Sequence, residues 1–330
     1  MIKDGILSTV GNTPLVRLTR IFKDQPFHLF AKLESFNPGG SMKDRPAMNI
    51  ISQAIESGAI QSDTIVVESS SGNMGIGLAQ ACAYYGLRFI CVVDPKVTTQ
   101  NARLMEIYGA EVDFVRQPDP GTGEFLQARL NRVKELVSTL KNCFWPNQYA
   151  NLDNPRAHHR TMAEIVAALD GQVDYLFCAT STVGTLRGCA EYARQRSPKT
   201  KIIAVDAVGS VIFGGLKAKR LIPGHGAAVR PQLFQPDLAE RCIYVTDLDC
   251  VVGCRRLVRE EAILSGGSSG GVISAFNQVK SSIPAGSNCV VLLADRGERY
   301  LDTIYSDTWV REHLGDVEHL WKYDEAFAYA

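Results

Sequence analysis

The sequence predicts an α/β protein of two successive halves, each a mostly parallel sheet flanked by helices. Short apolar runs of strand length alternate with amphipathic stretches of helix length through most of the chain. Turns rich in glycine, serine and threonine follow several of those runs and lead straight into helical patterns. At 330 residues the chain is long enough for two domains with a shared cleft.

In the first half, residues 65–68, 89–93 and 112–115 are β-branched or aromatic runs of strand length, and helices are expected at 75–85, 99–108 and 125–140. A further helix is expected just after Lys43, where Pro46, Ala47, Ile50, Ile51, Ala54 and Ile55 recur at helical spacing. The second half has strands at 175–178, 202–205 and 289–293, with helices at 184–195, 249–264 and 271–281. Two early strands, 15–18 and 28–34, precede the first half, and the boundary between halves falls near residues 145–150. The Pro-Asp-Pro-Gly-Thr-Gly segment at 118–123 is the loosest stretch and is expected to be a mobile loop.

The composition, 45% hydrophobic and 21% charged, is that of a soluble globular enzyme. A formal net charge of zero argues against nucleic acid or an anionic membrane as the main partner. No apolar run is long enough to span a bilayer, and residues 1–5 lack the apolar region of a secretory signal. The nine cysteines include no Cys-x-x-Cys pair, and Cys82, Cys91, Cys178, Cys189 and Cys289 sit in apolar surroundings, so a reducing cytoplasm is the expected setting. Cys250 and Cys254 lie four apart on a predicted helix but lack partners for a metal, and no metal is expected.

The most informative stretch is Asn37-Pro38-Gly39-Gly40-Ser41-Met42-Lys43-Asp44-Arg45. It sets one lysine past a tight turn at the head of a helix that Ser41 is expected to cap. The positive field of a helix N-terminus lowers a lysine pKa toward the neutral amine, the form that makes a Schiff base with a carbonyl cofactor. Two turns after strands, at residues 70–73 and 180–185, open helices whose N-termini attract anions at the carboxyl ends of parallel strands. Gly72, Gly75 and Gly77 cluster after a strand, but their spacing is not that of a dinucleotide fingerprint.

These blocks, in this order, resemble the cysteine synthase family of fold-type II pyridoxal-phosphate (PLP) enzymes. Gly11-Asn12-Thr13-Pro14-Leu15-Val16 and the lysine stretch match its opening. Glu68-Ser69-Ser70-Ser71-Gly72-Asn73-Met74-Gly75 matches its asparagine loop and Asn147-Gln148-Tyr149 its glutamine block. Ser181-Thr182-Val183-Gly184-Thr185 matches its phosphate loop and Gly266-Gly267-Ser268-Ser269-Gly270 its late serine turn. The resemblance runs from about residue 5 to about residue 305 and implies a tryptophan synthase β-like fold. It implies a smaller domain at 35–148 and a larger one made of 1–34 and 149–330, with the active site between them. PLP is the implied cofactor and a homodimer the implied assembly.

Residue by residue, the resemblance makes Lys43 the Schiff-base lysine and proton carrier. Asn73 becomes a donor to the phenolic oxygen of PLP, unless it only caps its helix. Ser181, Thr182, Val183, Gly184 and Thr185 become the phosphate loop, and Ser268 faces the pyridine nitrogen, unless it belongs to a plain turn. A hydroxyl there keeps the ring a weaker electron sink than a carboxylate would, which favours β-elimination over transamination. Ser70, Ser71, Gly72, Met74, Arg129, Gln148, Tyr149 and Ser181 are the implied substrate contacts. Arg129 could instead lie on a solvated helix face with Arg132 and Lys134, and Tyr149 could be a buried structural tyrosine.

Two departures matter. Ser181 replaces a glycine and projects a side chain toward the substrate cavity, and Met74 replaces a threonine and removes a hydroxyl from the acceptor region. With the Asp206-Ala207-Val208-Gly209-Ser210 and Asp295-Arg296-Gly297 blocks, they point to the branch that makes N-(2-amino-2-carboxyethyl)-L-glutamate. Those enzymes use O-phospho-L-serine and L-glutamate and serve 2,3-diaminopropionate supply for siderophores of the staphyloferrin B kind. Arg296, in place of a serine, is expected to brace the C-terminal turn. A cysteine synthase using sulfide with O-acetylserine or O-phosphoserine is the alternative. A silent PLP-fold scaffold is the reading of another class, and the joint presence of Lys43, Asn73 and Ser268 speaks against it.

Overall fold

The computed structural model describes residues 2–321. The chain runs β1 (Leu15–Arg17), β2 (His28–Leu33), α1 (Asp44–Glu56), β3 (Ile65–Ser69), α2 (Asn73–Tyr85), β4 (Arg88–Val93), α3 (Thr99–Ile107), β5 (Glu111–Phe114), α4 (Phe125–Thr139) and β6 (Cys143–Phe144). It continues with α5 (Asp153–Ala168), β7 (Tyr175–Ala179), α6 (Gly184–Arg196), β8 (Lys201–Ala207), β9 (Arg241–Val245), α7 (Asp247–Glu261), α8 (Gly267–Val279), β10 (Asn288–Leu293) and α9 (Asp307–Leu314).

The strands form two sheets. One has six strands in the order β1-β2-β10-β7-β8-β9, the other four in the order β5-β4-β3-β6. Every pairing is parallel except β1 with β2. Parallel strands are buried on both faces, and each sheet here has an apolar cluster on either side. On one face of the larger sheet Phe177, Val205 and Val291 pack against Val272, Phe276 and Leu257. On the other, Leu176, Cys178 and Val290 meet Met162 and Ile165 of α5 and Leu186 of α6. Phe177 and Phe276 meet edge to face at 5.1 Å, and burial of each ring contributes roughly 1.5–3 kcal/mol. The smaller sheet buries Val66, Phe89 and Cys91 on one side and Val67, Ile90 and Val92 on the other.

Helices α7 and α8 cross at Gly253 and Gly270, where a Cβ on either would overlap the backbone of the other helix. Only glycine permits that approach, and it seats the head of α8 against the end of β10.

Four elements go beyond the sequence expectation. Strand β6 has two residues, β9 is an edge strand whose Arg241 and Tyr244 are exposed, and α5 and α9 carry many polar side chains. Helix α7 starts at Asp247 rather than 249 because Thr246 and Asp249 form a reciprocal capping box. Helix α8 starts at Gly267 rather than 271, so Ser268 lies in a first helical turn. The 118–123 segment is an exposed turn organised by Asp119, whose Oδ1 accepts from the Thr122 N–H at 2.8 Å.

Candidate active site

The loops after β3, β7 and β10 converge on Lys43 from the carboxyl ends of both sheets. Met42 N–H donates to the Ala294 carbonyl at 2.8 Å, and Ser41 bridges to Asp295, so the lysine turn is stitched to the end of β10. Ser41 does not cap α1. Its hydroxyl accepts from the Lys43 N–H at 3.2 Å, while Lys43 itself holds the capping position. Asp44 organises the turn, its Oδ2 accepting from the Gly39 N–H at 2.6 Å. The Lys43 pKa lies below its ordinary value. The main cause is burial, opposed by Cys178 and Asp295.

Behind Lys43 lies a buried ionic cluster. The Arg45 guanidinium donates to both carboxylate oxygens of Glu34 (2.7 and 2.9 Å) and of Glu164 (2.9 and 2.7 Å). Lys32 Nζ reaches Glu164 at 2.7 Å and the Thr13 carbonyl at 2.6 Å. Burial alone would raise the Glu164 pKa, but the Arg45 and Lys32 contacts outweigh it and hold it at about 2. Four segments, the 11–13 turn, β2, α1 and α5, are thereby fixed around the lysine.

In the loop after β3, Ser70 Oγ is buried and accepts from the Gly75 N–H at 2.9 Å, which pins the turn. A Cβ on Gly72 would meet open space. Asn73 is the first residue of α2, and its Nδ2 donates to Asp295 Oδ2 at 2.7 Å while Arg299 donates to its Oδ1. Met74 departs from its expected place: its side chain is buried in the apolar cluster beneath α2 and lines no acceptor region, because the helix starts at Asn73 and turns the next residue inward.

In the loop after β7, Val183 has φ +70°, a left-handed conformation that a β-branched residue adopts only under strain. The first N–H groups of α6 have no partner inside the helix, and the Thr182 and Thr185 hydroxyls stand beside them. From behind, Asn154 Nδ2 donates to Thr182 Oγ1 at 3.3 Å, and His158 Nε2 lies 3.1 Å from Thr185 Oγ1. Ser181 is partly exposed beside them, and Ser268 Oγ makes no hydrogen bond within the described residues.

Gln148 anchors the join between halves, its N–H donating to Glu68 Oε2 and its Nε2 to the Ser69 carbonyl, both at 3.1 Å. Arg129 is not on a solvated face: its Nη1 donates to Ser71 Oγ at 3.0 Å, and its Nε lies 3.0 Å from Asp94. The Tyr149 pKa is raised, chiefly by burial, and the charges of both Arg129 and Arg220 reach its phenol. Arg296 Nε donates to the Ser35 carbonyl at 2.9 Å, so it braces the 295–297 turn against the segment before the lysine loop.

Sequence reasoning gave no role to Asp295, Arg299, Tyr300, Asn154 or His158. Asp295 is fully buried, accepts from Asn73 and, at 2.5 Å, from the Tyr300 hydroxyl, and keeps an unpartnered Oδ1. A Cβ on Gly266 would overlap that oxygen, which ties the head of α8 to the same point. The Asp-Arg-Gly block signalled a site, but nothing local showed that its aspartate would meet Asn73.

A model of the family described as pyridoxal-phosphate dependent enzyme matches residues 6–295. The chain belongs to that family. Solved structures agree with it over nearly the whole chain. An O-acetylserine dependent cystathionine beta-synthase from Helicobacter pylori shares 30% identity at a TM-score of 0.86, covering 93% of this chain and all of its own. A cysteine synthase from Entamoeba histolytica shares 32% identity at 0.85, over 92% of this chain and 91% of its own. An O-ureido-L-serine synthase shares 28% identity at 0.85, over 96% and 97%. The fold is PLP fold type II, the cofactor is PLP, and the protein is a PLP-dependent β-replacement enzyme of the cysteine synthase kind. Its residues fit that group: a desolvated lysine, a helix N-terminus with free N–H groups and hydroxyls for a phosphate, and an unengaged hydroxyl at Ser268. Among the described residues, no helix is long and apolar enough to cross a membrane.

A surface hollow of about 370 Å³ beside Asp174, Lys199 and Lys201 opens at the opposite, N-terminal ends of β7 and β8. Ligands of parallel sheets bind at carboxyl ends, so this hollow is not the reaction site.

Proposed function

We propose that the enzyme joins O-phospho-L-serine to L-glutamate, giving N-(2-amino-2-carboxyethyl)-L-glutamate and phosphate. The observation that carries this reading is the buried Tyr149 phenol, which the charges of two arginines, Arg129 and Arg220, reach. A phosphorylated donor and a dicarboxylic acceptor both need such cationic and hydroxyl partners.

When bound, PLP supplies the electron sink that makes the donor's Cα proton removable and its β-substituent a leaving group. Lys43 takes that proton and returns it to Cα, its neutral amine favoured by burial. Ser70, Ser71, Gly72 and the head of α2 hold the donor carboxylate, with Gln148 fixing that loop. Thr182, Val183, Gly184 and Thr185 would hold the cofactor phosphate, with Ser268 and Asn73 as the hydroxyl and amide that would hold its ring. Tyr149, Ser181 and Arg129 orient the acceptor. The donor's Cβ–O bond breaks with release of phosphate, and a Cβ–N bond forms as the acceptor amine gives up a proton. The domains are 35–148 and 1–34 with 149–330, and the enzyme works as a cytoplasmic homodimer supplying 2,3-diaminopropionate to siderophore assembly.

One observation favours a second reading, sulfide as the nucleophile. Arg129 is already engaged by Asp94 and Ser71, which suits a small acceptor. Mass spectrometry of products from O-phospho-L-serine offered with L-glutamate, sulfide or other amines separates the two. The glutamate adduct should dominate. Cysteine alone, or a preference for O-acetylserine as donor, would return the enzyme to the cysteine synthases.

A further inference from the structure

The segment between β8 and β9 holds an arginine that makes no direct ion pair among the described residues. Arg220 Nη1 donates to the His225 carbonyl at 2.7 Å, and its Nε is buried without a partner. Burial lowers its pKa, and the charges of Asp206, Asp247 and Glu124 and the phenol of Tyr149 all reach it. None of those carboxylates forms an ion pair with it among the described residues: Asp247 and Glu124 are engaged elsewhere, and Asp206 is engaged through Oδ1 alone, its Oδ2 having no partner. Asp247 accepts from the backbone N–H groups of Leu221 and Ile222 at 3.0 and 3.1 Å. Asp206 Oδ1 accepts from the Thr180 hydroxyl at 3.0 Å and the Ala207 N–H at 2.9 Å. Glu124 pairs with Lys217.

The geometry fixes where this arginine stands. Gly226 N–H donates to the Thr180 carbonyl at 2.7 Å, next to Ser181, and a Cβ on Gly226 would come within 2.9 Å of Arg220 Nη1. The Leu233 N–H donates to the Tyr149 carbonyl at 3.2 Å, so the segment also closes on Tyr149. The buried Nε is a charged donor left without an acceptor, and an anion from outside the chain would satisfy it. Three neighbouring carboxylates make the surroundings anionic, which suits a singly charged carboxylate better than a phosphate dianion.

Resting on the reaction proposed above, we infer that Arg220 is the carboxylate-recognising residue for the acceptor amino acid. Its segment closes on Thr180 and Tyr149, and it selects acceptors that carry a carboxylate over those that do not.

Calorimetry on the PLP-loaded enzyme tests this with glutarate and inorganic phosphate as probes, alongside the KM for L-glutamate. R220Q should weaken glutarate binding and raise that KM at least tenfold more than it alters phosphate binding or the phosphoserine-induced absorbance change. R220K, which keeps the charge and loses the planar fork, should fall between R220Q and wild type. If R220Q does not fold, a severalfold rise in R220K still supports the assignment, and an unchanged R220K overturns it. Equal losses for both probes, a loss confined to phosphate, or no glutarate binding by the wild type would also overturn it. If the wild type makes no glutamate adduct while glutarate binding still depends on Arg220, the proposed reaction falls and the subsite stands.

Discussion

The two strand–turn–helix units that face Lys43 look alike in outline and differ in what holds them. The turn between β3 and α2 is pinned within its own half at Ser70 and Ser71, and at Asn73 it is also tied across to the other sheet. Asn73 reaches Asp295 after β10, and Arg299 reaches back to Asn73. The turn between β7 and α6 is buttressed by its own half: Asn154 and His158 of α5 support its threonines, and Gly226 N–H closes on Thr180. The first turn is thus part of the join between sheets, and the second is a fixed cradle that carries its strain at Val183. A defect in the first should be felt as a loss of fit between halves, a defect in the second as a loss of anion affinity.

Removing the centre of both units has the largest effect. Lys43→Ala should abolish the visible absorbance band of the purified protein and reduce turnover below detection. A band and rate that survive would move the attachment point elsewhere.

Next is the cluster behind the lysine. Arg45→Met leaves the fully buried Glu34 without its cation, while Glu164 keeps Lys32 and Arg160, and should cost ~3–5 kcal/mol in urea denaturation. Glu164 supplies the pH arm. Its folded pKa of about 2 lies below the ordinary 4.5, so its contribution is complete above pH 4.5 and is lost as pH falls toward 2. A Glu164→Gln variant should show a shallower loss of stability across that window, and an unchanged acid limb would remove Glu164 from the account.

The comparison itself is sharpened by pairing Asp295→Ala with Asn154→Ala. The first should cost ~1–3 kcal/mol of stability and slow turnover, because Asn73 and Tyr300 lose their acceptor. The second should leave stability within about 1.5 kcal/mol and lower PLP retention in dialysis about tenfold. If both weaken PLP equally, the distinction between bridge and cradle fails.

Ser181→Gly and Tyr149→Phe should each slow the glutamate half-reaction about tenfold more than the phosphoserine half-reaction in single-turnover kinetics. Equal effects on both halves would move the acceptor site. The smallest effect belongs to Val183→Gly. Relief of left-handed strain, ~1–3 kcal/mol, is opposed by the ~0.5–1 kcal/mol entropy cost of glycine and by loss of the buried valine side chain, ~1.5–3 kcal/mol, so a net loss of about 1 kcal/mol is expected by thermal unfolding. A gain would mean that the backbone strain outweighs the valine's packing.

The alternating pattern of strands and helices was legible because parallel strands buried on both faces are continuous apolar runs, as at Ile65–Ser69 and Asn288–Leu293. Strand β9 was not legible, because an edge strand mixes exposed Arg241 and Tyr244 with buried Val245. Helix α5 was hidden by its polar side chains, among them His158 and His159, whose partners Thr185 and Glu191 lie on α6. The lysine turn and the turns after β3 and β7 could be read because a turn followed by a helix head is a local pattern. Asp295 and Arg299 act across more than 220 residues of sequence, and their meeting with Asn73 exists only in the folded chain. Met74 misled because substitution for a threonine says what is lost and not which way the new side chain points.

The pairing of β2 with β10 sets a schedule for synthesis. His28 lies opposite Asn288, about 260 residues later, whereas the strands of the smaller sheet all emerge between residues 65 and 144. At the usual 5–20 residues per second, β2 waits roughly 13–50 s for its neighbour while the smaller sheet can already assemble. During that interval the alternate residues Leu29, Ala31 and Leu33, destined for the core, lie open on a strand with a free edge. A chain stalled before residue 288 would therefore be a target for chaperones or aggregation through its first strands, even with most of the cleft residues already made.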